Sequence, residues 1–134
     1  MTKATTCTVY EFPLEDKPGV LLAFANRLRT ADIALKALWA HALKDETSTI
    51  RCIAERNPQF RDFVQSTELV ITEEKAIYVS SVETGGAFLR LLEKVAGADI
   101  NINSIHAVSL AGETGWVIWT DEANIDPLMV QLSN

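Results

Sequence analysis

The residues of this chain that could do chemistry are few and scattered. Cys7 and Cys52 lie in apolar alternating segments without the paired spacing of a metal knuckle or redox motif, so both read as reduced core thiols. His41 and His106 have no Cys, Asp or Glu nearby at metal-ligand spacing, and His106 reads as a buried, hydrogen-bonded side chain. No serine occupies a nucleophile elbow, and "ETGG", Glu83 to Gly86, lacks the spacing of a phosphate loop and reads as a turn. The expectation is no enzyme, no cofactor and no metal. What remains suits binding. "LEDKPGVLLAF", Leu14 to Phe24, sets Asp16 and Lys17 in front of Pro18, Gly19 and Val20 at the start of an apolar run. A helix start favours a carboxylate, Asp16 suits an ammonium, and amides such as those of Asn101 and Asn103 satisfy either. By itself "DKPG" reads as a plain turn, because proline fixes φ and glycine relieves crowding.

These groups must be held by a modest scaffold. The 134 residues, 48% hydrophobic and 22% charged, make one compact domain or two very small ones sharing a core. A net charge of -6 with dispersed basic residues argues against nucleic acid. No run approaches the roughly 20 apolar residues that cross a bilayer, and the N-terminus has no signal-peptide stretch, so no membrane is expected and the location expected is cytoplasmic.

The organisation emerges when the chain is laid over itself at a shift of half its 134 residues. Gly19 to Ile50 then aligns without a gap on Gly86 to Val117, and identical pairs include Gly19/Gly86, Leu22/Leu89, Ala31/Ala98, Asp32/Asp99, Ile33/Ile100, Leu43/Leu110, Glu46/Glu113, Thr47/Thr114 and Asn57/Asn124. In each half a β-rich segment (Thr6 to Phe12, Ala76 to Val82) precedes an amphipathic helix with Val20, Phe24 and Leu28, or Ala87, Leu91 and Val95, facing inward. Two strands follow the "TAD" and "GAD" turns. Ile33, Leu35, Trp39 and Leu43 match Ile100, Ile102, His106 and Leu110 as the buried face, and hairpins at "KDET" and "AGET" lead into Ser48 to Ala54 and Gly115 to Thr120. Asn57, as an N-cap before Pro58, opens a helix burying Phe60, Phe63 and Val64; Asn124 stands at the same place before Leu128, Met129 and Leu132. A short strand, Glu68 to Thr72, completes the first half.

The fold class read from this order is α+β: two tandem ferredoxin-like βαββαβ repeats, residues 1–72 and 73–134, antiparallel sheets with helices on one face, the second copy lacking its last strand. The other sheet face would carry Ala34, Lys36, Leu38, Ala40 and Ala42, and in the second copy Asn101, Asn103, Ile105, Ala107 and Ser109. Such small side chains permit close sheet-to-sheet approach, which predicts a second association between the copies or between two chains.

"LEDKPGVLLAFANRLRTADIALKAL", with an acidic residue two positions before Pro-Gly, an immediate apolar helix and a "-DI-" entry to the second strand, resembles the ACT domain family. The resemblance covers essentially the whole chain as two copies and is weaker in "VETGGAFLRLLEKVAGADININSI", where Gly85 replaces the proline. It implies a non-catalytic regulatory module that binds an amino acid or similar metabolite between copies, by the loop before the first helix of one and the second-strand start of the other. Carried onto this sequence, the ligand-binding residues are Asp16, Lys17, Pro18, Gly19, Val20, Asn101, Ile102 and Asn103. Ala34 stands where Asn101 stands in the other copy, so the reciprocal site, with Glu83, lacks the amide. The implied partners are an amino acid effector, a second copy in a homo-oligomer (a dimer) and a partner enzyme. The alternative is a ligand-free interaction subunit docking on a metabolic enzyme, and a third reading is a small-molecule enzyme whose site escapes detection.

Overall fold

The computed structural model describes residues 2–82 and 86–133. Glu83 and Gly85, named above in the second loop, lie outside the described residues. Among the described residues the fold is α+β, with a six-stranded antiparallel sheet and four α-helices. In order the elements are β1 (Thr2–Glu15), α1 (Val20–Thr30), β2 (Leu35–Ala42), β3 (Thr47–Ala54), α2 (Asn57–Gln65), β4 (Thr72–Ser81), α3 (Ala87–Gly97), β5 (Ser104–Leu110), β6 (Glu113–Trp119), a 3₁₀ turn at Glu122–Asn124, and α4 (Ile125–Leu132). Strand order is β2-β3-β1-β4-β6-β5. Hydrogen bonds from the Thr2 hydroxyl to Ser81 Oγ and from the Thr72 hydroxyl to the Glu11 carbonyl tie opposite ends of β1 and β4, which makes that pairing antiparallel too.

Two compact units divide the chain: Thr8–Glu74, and Met1–Cys7 with Lys75–Asn134. β1 and β4 therefore each serve both. Glu68 to Ile71 forms no strand, and the fourth strand of the first unit is the opening of β4, Thr72–Glu74. The second unit is not short of a strand either. Thr2–Cys7 runs along β4 within that unit, with Ala4 packed on its core. At 14 residues β1 is long enough for both roles.

In the first unit Phe24 and Leu28 of α1 and Phe60 and Phe63 of α2 pack on Tyr10, Phe12, Ile50 and Cys52. The rings interlock, Tyr10 on Phe60 at 4.4 Å and Phe12 on Phe24 at 5.0 Å between centroids, which adds orientational attraction to burial. Asn57 does not cap α2: the N-cap is Arg56, and Asn57 Oδ1 instead accepts the Tyr10 hydroxyl at 2.9 Å, a bond that satisfies the polar end of a buried ring. In the second unit Leu91 and Val95 of α3 and Ile125, Leu128 and Leu132 of α4 cover Ile77, Val79, Trp116 and Ile118.

The repeated Ala-Asp-Ile tripeptides have one structural job. Asp32 and Asp99 adopt φ of 57° and 55°, just past the C-caps of α1 and α3. The Ile33 amide then reaches the Leu28 carbonyl at 2.9 Å while the Asp32 amide reaches that of Arg29. Ile100, Val95, Asp99 and Ala96 repeat the pattern, a Schellman cap in each copy. Gly19/Gly86 is an identity of residue only: Gly19 has φ of 87°, whereas Gly86 is ordinary right-handed helix.

Strand faces depart from a simple alternation. Pairing of β2 with β3 breaks between Leu35 and Ala37, and a bulge exchanges the two faces of the strand beyond it. Leu38, Ala40 and Ala42 pair with Cys52, Ile50 and Ser48 and so share the helix side; Trp39 and His41 take the other face. Ile105 and Ala107 likewise oppose Ile118 and Trp116 on the helix side, with Ile105 packed on the core. The predicted open face of Leu38, Ala40, Ala42, Ile105 and Ala107 is thus corrected. The face away from the helices instead carries Val9 and Ile53 in one unit and Ala76, Val117 and Trp119 in the other, all buried.

The ungapped alignment also slips by one residue at the hairpin. Leu43 to Glu46 joins β2 to β3, but only Ala111 and Gly112, both at positive φ, join β5 to β6. By register Ser48 corresponds to Thr114 and Ile50 to Trp116, so the Thr47/Thr114 identity pairs residues on opposite faces.

Candidate functional site

The loop before α1 forms one wall of a cavity of about 170 Å³ in the first unit. Its position follows from local chemistry. β1 ends where the Asp16 amide donates to the Glu46 carbonyl at 2.7 Å, holding the loop on the β2–β3 hairpin. Lys17, Pro18 and Gly19 then turn the chain, with the Val20 amide on the Lys17 carbonyl, and α1 starts at Gly19 without a side-chain cap. Leu14, Leu21, Ala40, Ala42 and Ile50 give the cavity an apolar floor, Glu15, Asp16, Lys17 and Ser48 line it with polar residues, and His41 borders it as the β2 residue between Ala40 and Ala42. Lys17 Nζ stands 3.4 Å from Glu15 Oε2, with both side chains more than half exposed, so water screens this pair and it contributes little stability. The Ser48 hydroxyl donates to the Leu14 carbonyl at 3.1 Å, joining β3 to the loop.

Of the predicted site residues, Asp16 and Lys17 line this cavity; Pro18, Gly19 and Val20 form the turn and the first helical residue behind it. Asn101, Ile102 and Asn103 belong to the other unit. There Ile102 packs against the core, Asn101 Nδ2 lies 3.4 Å from Asn103 Oδ1, and Asn103 Nδ2 donates to Asp121 at 2.9 Å. The Asn101 carbonyl accepts the Thr120 hydroxyl and the Asn103 amide donates to the Trp119 carbonyl, so this segment is fastened to the chain leaving β6. Sequence reasoning missed Ala40, Ala42 and Ser48 because the face of β2 and the pairing of β3 with the loop depend on the bulge and on register.

Other reactive groups are held quiet. Burial pushes the Cys52 thiol up to about 12, which keeps it protonated and unreactive. Tyr10 is also raised, chiefly by burial. Among the described residues no three His, Cys, Asp or Glu side chains are grouped to hold a metal ion, and no helix is long and apolar enough to cross a membrane.

No protein-family model and no curated protein matches the sequence. Solved structures do match. Protein BT0572 from Bacteroides thetaiotaomicron superposes with a TM-score of 0.82 at 18% identity over 97% of this chain and 88% of its own. The regulatory subunits of aspartate kinase from Thermus flavus and Thermus thermophilus give 0.67 and 0.64 at 11% and 9% identity, each over 98% of this chain and 94% of theirs. The fold is ACT-like. At these identities the likeness is one of architecture, and function must come from the site.

Proposed function

We propose that the chain is a non-catalytic regulatory protein of two ACT-like repeats, divided near residue 72, that binds a free amino acid or similar small metabolite in the cavity behind Asp16. The cavity carries the proposal. At about 30 Å³ per water its 170 Å³ holds roughly six waters, the size of a small aliphatic amino acid. Glu15 and Asp16 suit an ammonium, Lys17 and the uncapped start of α1 suit a carboxylate, and Leu21, Ala40 and Ile50 suit an aliphatic side chain. The regulatory subunits that share the fold support a role in which such binding is passed to a partner enzyme. Calorimetric titration with each proteinogenic L-amino acid tests it. Binding that weakens at least tenfold in Asp16→Ala supports the site, and unchanged affinity in both Asp16→Ala and Glu15→Gln overturns it. The same titration of Asn101→Ala tests whether that amide takes part.

A second reading, the interaction subunit, is favoured by the leucines identical between the halves. Leu22 and Leu89 on α1 and α3, and Leu43 and Leu110 at the hairpins, are all exposed, so core packing does not account for them. They suit a self-association surface or a docking face for an enzyme. Light scattering at micromolar concentration separates these: a dimer lost in Leu22→Glu with Leu89→Glu supports self-association on the helices.

A further inference from the structure

The mouth of the cavity meets the part of a ligand that every amino acid shares. Asp16 and Lys17 are exposed there and suit the two ends of a zwitterion. Discrimination between side chains therefore falls on the floor, where Leu14, Leu21, Ala40, Ala42 and Ile50 offer only carbon. Ser48 breaks this apolar surface. It pairs with Leu14 on one side and Ala42 on the other, so its side chain shares their face of the sheet, and the residue is only 9% exposed.

A hydroxyl has one hydrogen to donate and two lone pairs that accept. The Ser48 hydroxyl donates to the Leu14 carbonyl at 3.1 Å, and among the described residues no donor reaches its oxygen in return. The floor thus shows a ligand an acceptor set in an apolar surround. A methyl group lying over it would strip the oxygen of water and give nothing back, whereas a ligand hydroxyl replaces the water it displaces. Threonine and valine have one shape and differ in this one group, and serine differs from alanine by the same hydroxyl. A cavity of about 170 Å³ has room for all four.

We infer that Ser48 makes the cavity selective for a small amino acid whose side chain carries a hydroxyl. The inference rests on the binding function proposed above and narrows its ligand class. The bond from Ser48 to Leu14 also braces the loop, and loss of that brace would weaken all amino acids alike, so the ratio of two affinities is the quantity to measure. Calorimetry of the wild-type chain is expected to favour L-threonine over L-valine by about tenfold or more, and L-serine over L-alanine by a like factor. In Ser48→Ala both ratios are expected to fall to about threefold or less. Should Ser48→Ala fail to fold, a crystal structure of the wild type with L-threonine decides. The ligand hydroxyl is then expected within hydrogen-bond reach of Ser48 Oγ, and a hydroxyl turned to solvent overturns the inference. Equal affinity for threonine and valine in the wild type, or a preference that survives in folded Ser48→Ala, overturns it too and leaves the binding function standing. Binding of no amino acid at all overturns the binding function and the inference together.

Discussion

The buried thiol of Cys52 makes the stability of the fold fall with pH on the alkaline side. It is buried between Tyr10 on β1 and Leu38 on β2, and burial raises its pKa from 9.0 to about 12. Between those values the unfolded chain loses a proton that the folded chain retains, so the native state binds more protons and stability falls as pH rises. For one group the loss is about 1.4 kcal/mol at pH 10 and about 2.7 kcal/mol at pH 11, approaching 1.36 kcal/mol per pH unit between the two pKa values. Tyr10 has the same sign, so the Cys52 part is isolated by comparison with Cys52→Ala. Removing the sulfur lowers stability by a roughly constant amount below pH 8 and also removes the alkaline decline. Urea unfolding followed by circular dichroism at pH 8, 9, 10 and 11 is expected to show the gap between the two proteins shrinking by about 2.5 kcal/mol. Parallel curves across that range would show that Cys52 ionises in the folded chain as easily as in water, and the reasoning would fail.

Asp32→Gly and Asp99→Gly, which relieve a side chain at positive φ, are expected to raise stability by roughly 0.5–1 kcal/mol each, and Asp32→Val to lower it by more than that, measured by urea unfolding. Ala111→Asn, in a two-residue turn where both residues have positive φ, is expected to raise the melting temperature by about 2–4 °C. Removing residues 2–7 is expected to increase amide exchange along Ala76–Ser81 while Tyr10 and Phe12 stay protected; equal loss of protection in both segments would refute the division of β1 between two units.

The helices were legible because each buried stripe repeats every three or four residues, and the four stripes read from the sequence bury Phe24 and Leu28, Phe60 and Phe63, Leu91 and Val95, and Leu128 and Leu132. The strands were legible as segments but not as faces. One bulged residue at Lys36 inverts every side chain after it, and a one-residue difference in register at the second hairpin shifts β6 against β3; neither event leaves a mark in hydrophobicity. The cavity was half legible for the same reason. Asp16 and Lys17 sit in a turn announced by Pro18 and Gly19, whereas Ala42 and Ser48 join them only through strand pairing. The sequence reads as a second copy lacking its last strand, but Thr2–Cys7, from the other end of the described chain, runs along β4 within that unit. A sheet sets order in space and not along the chain.

That division of β1 limits how the molecule can be taken apart. A cut after residue 72 leaves the first fragment nearly whole, short only of the opening of β4, but parts the second from the strand that lines its sheet. The C-terminal half is therefore an obligate recipient: expressed alone it exposes an edge of β4 ready to take up a foreign strand, and a peptide of residues 2–7 is the natural candidate to fill it. An affinity tag fused at the N-terminus, remote in sequence from α3 and α4, would load the unit those helices belong to and spare the unit that follows it in the chain.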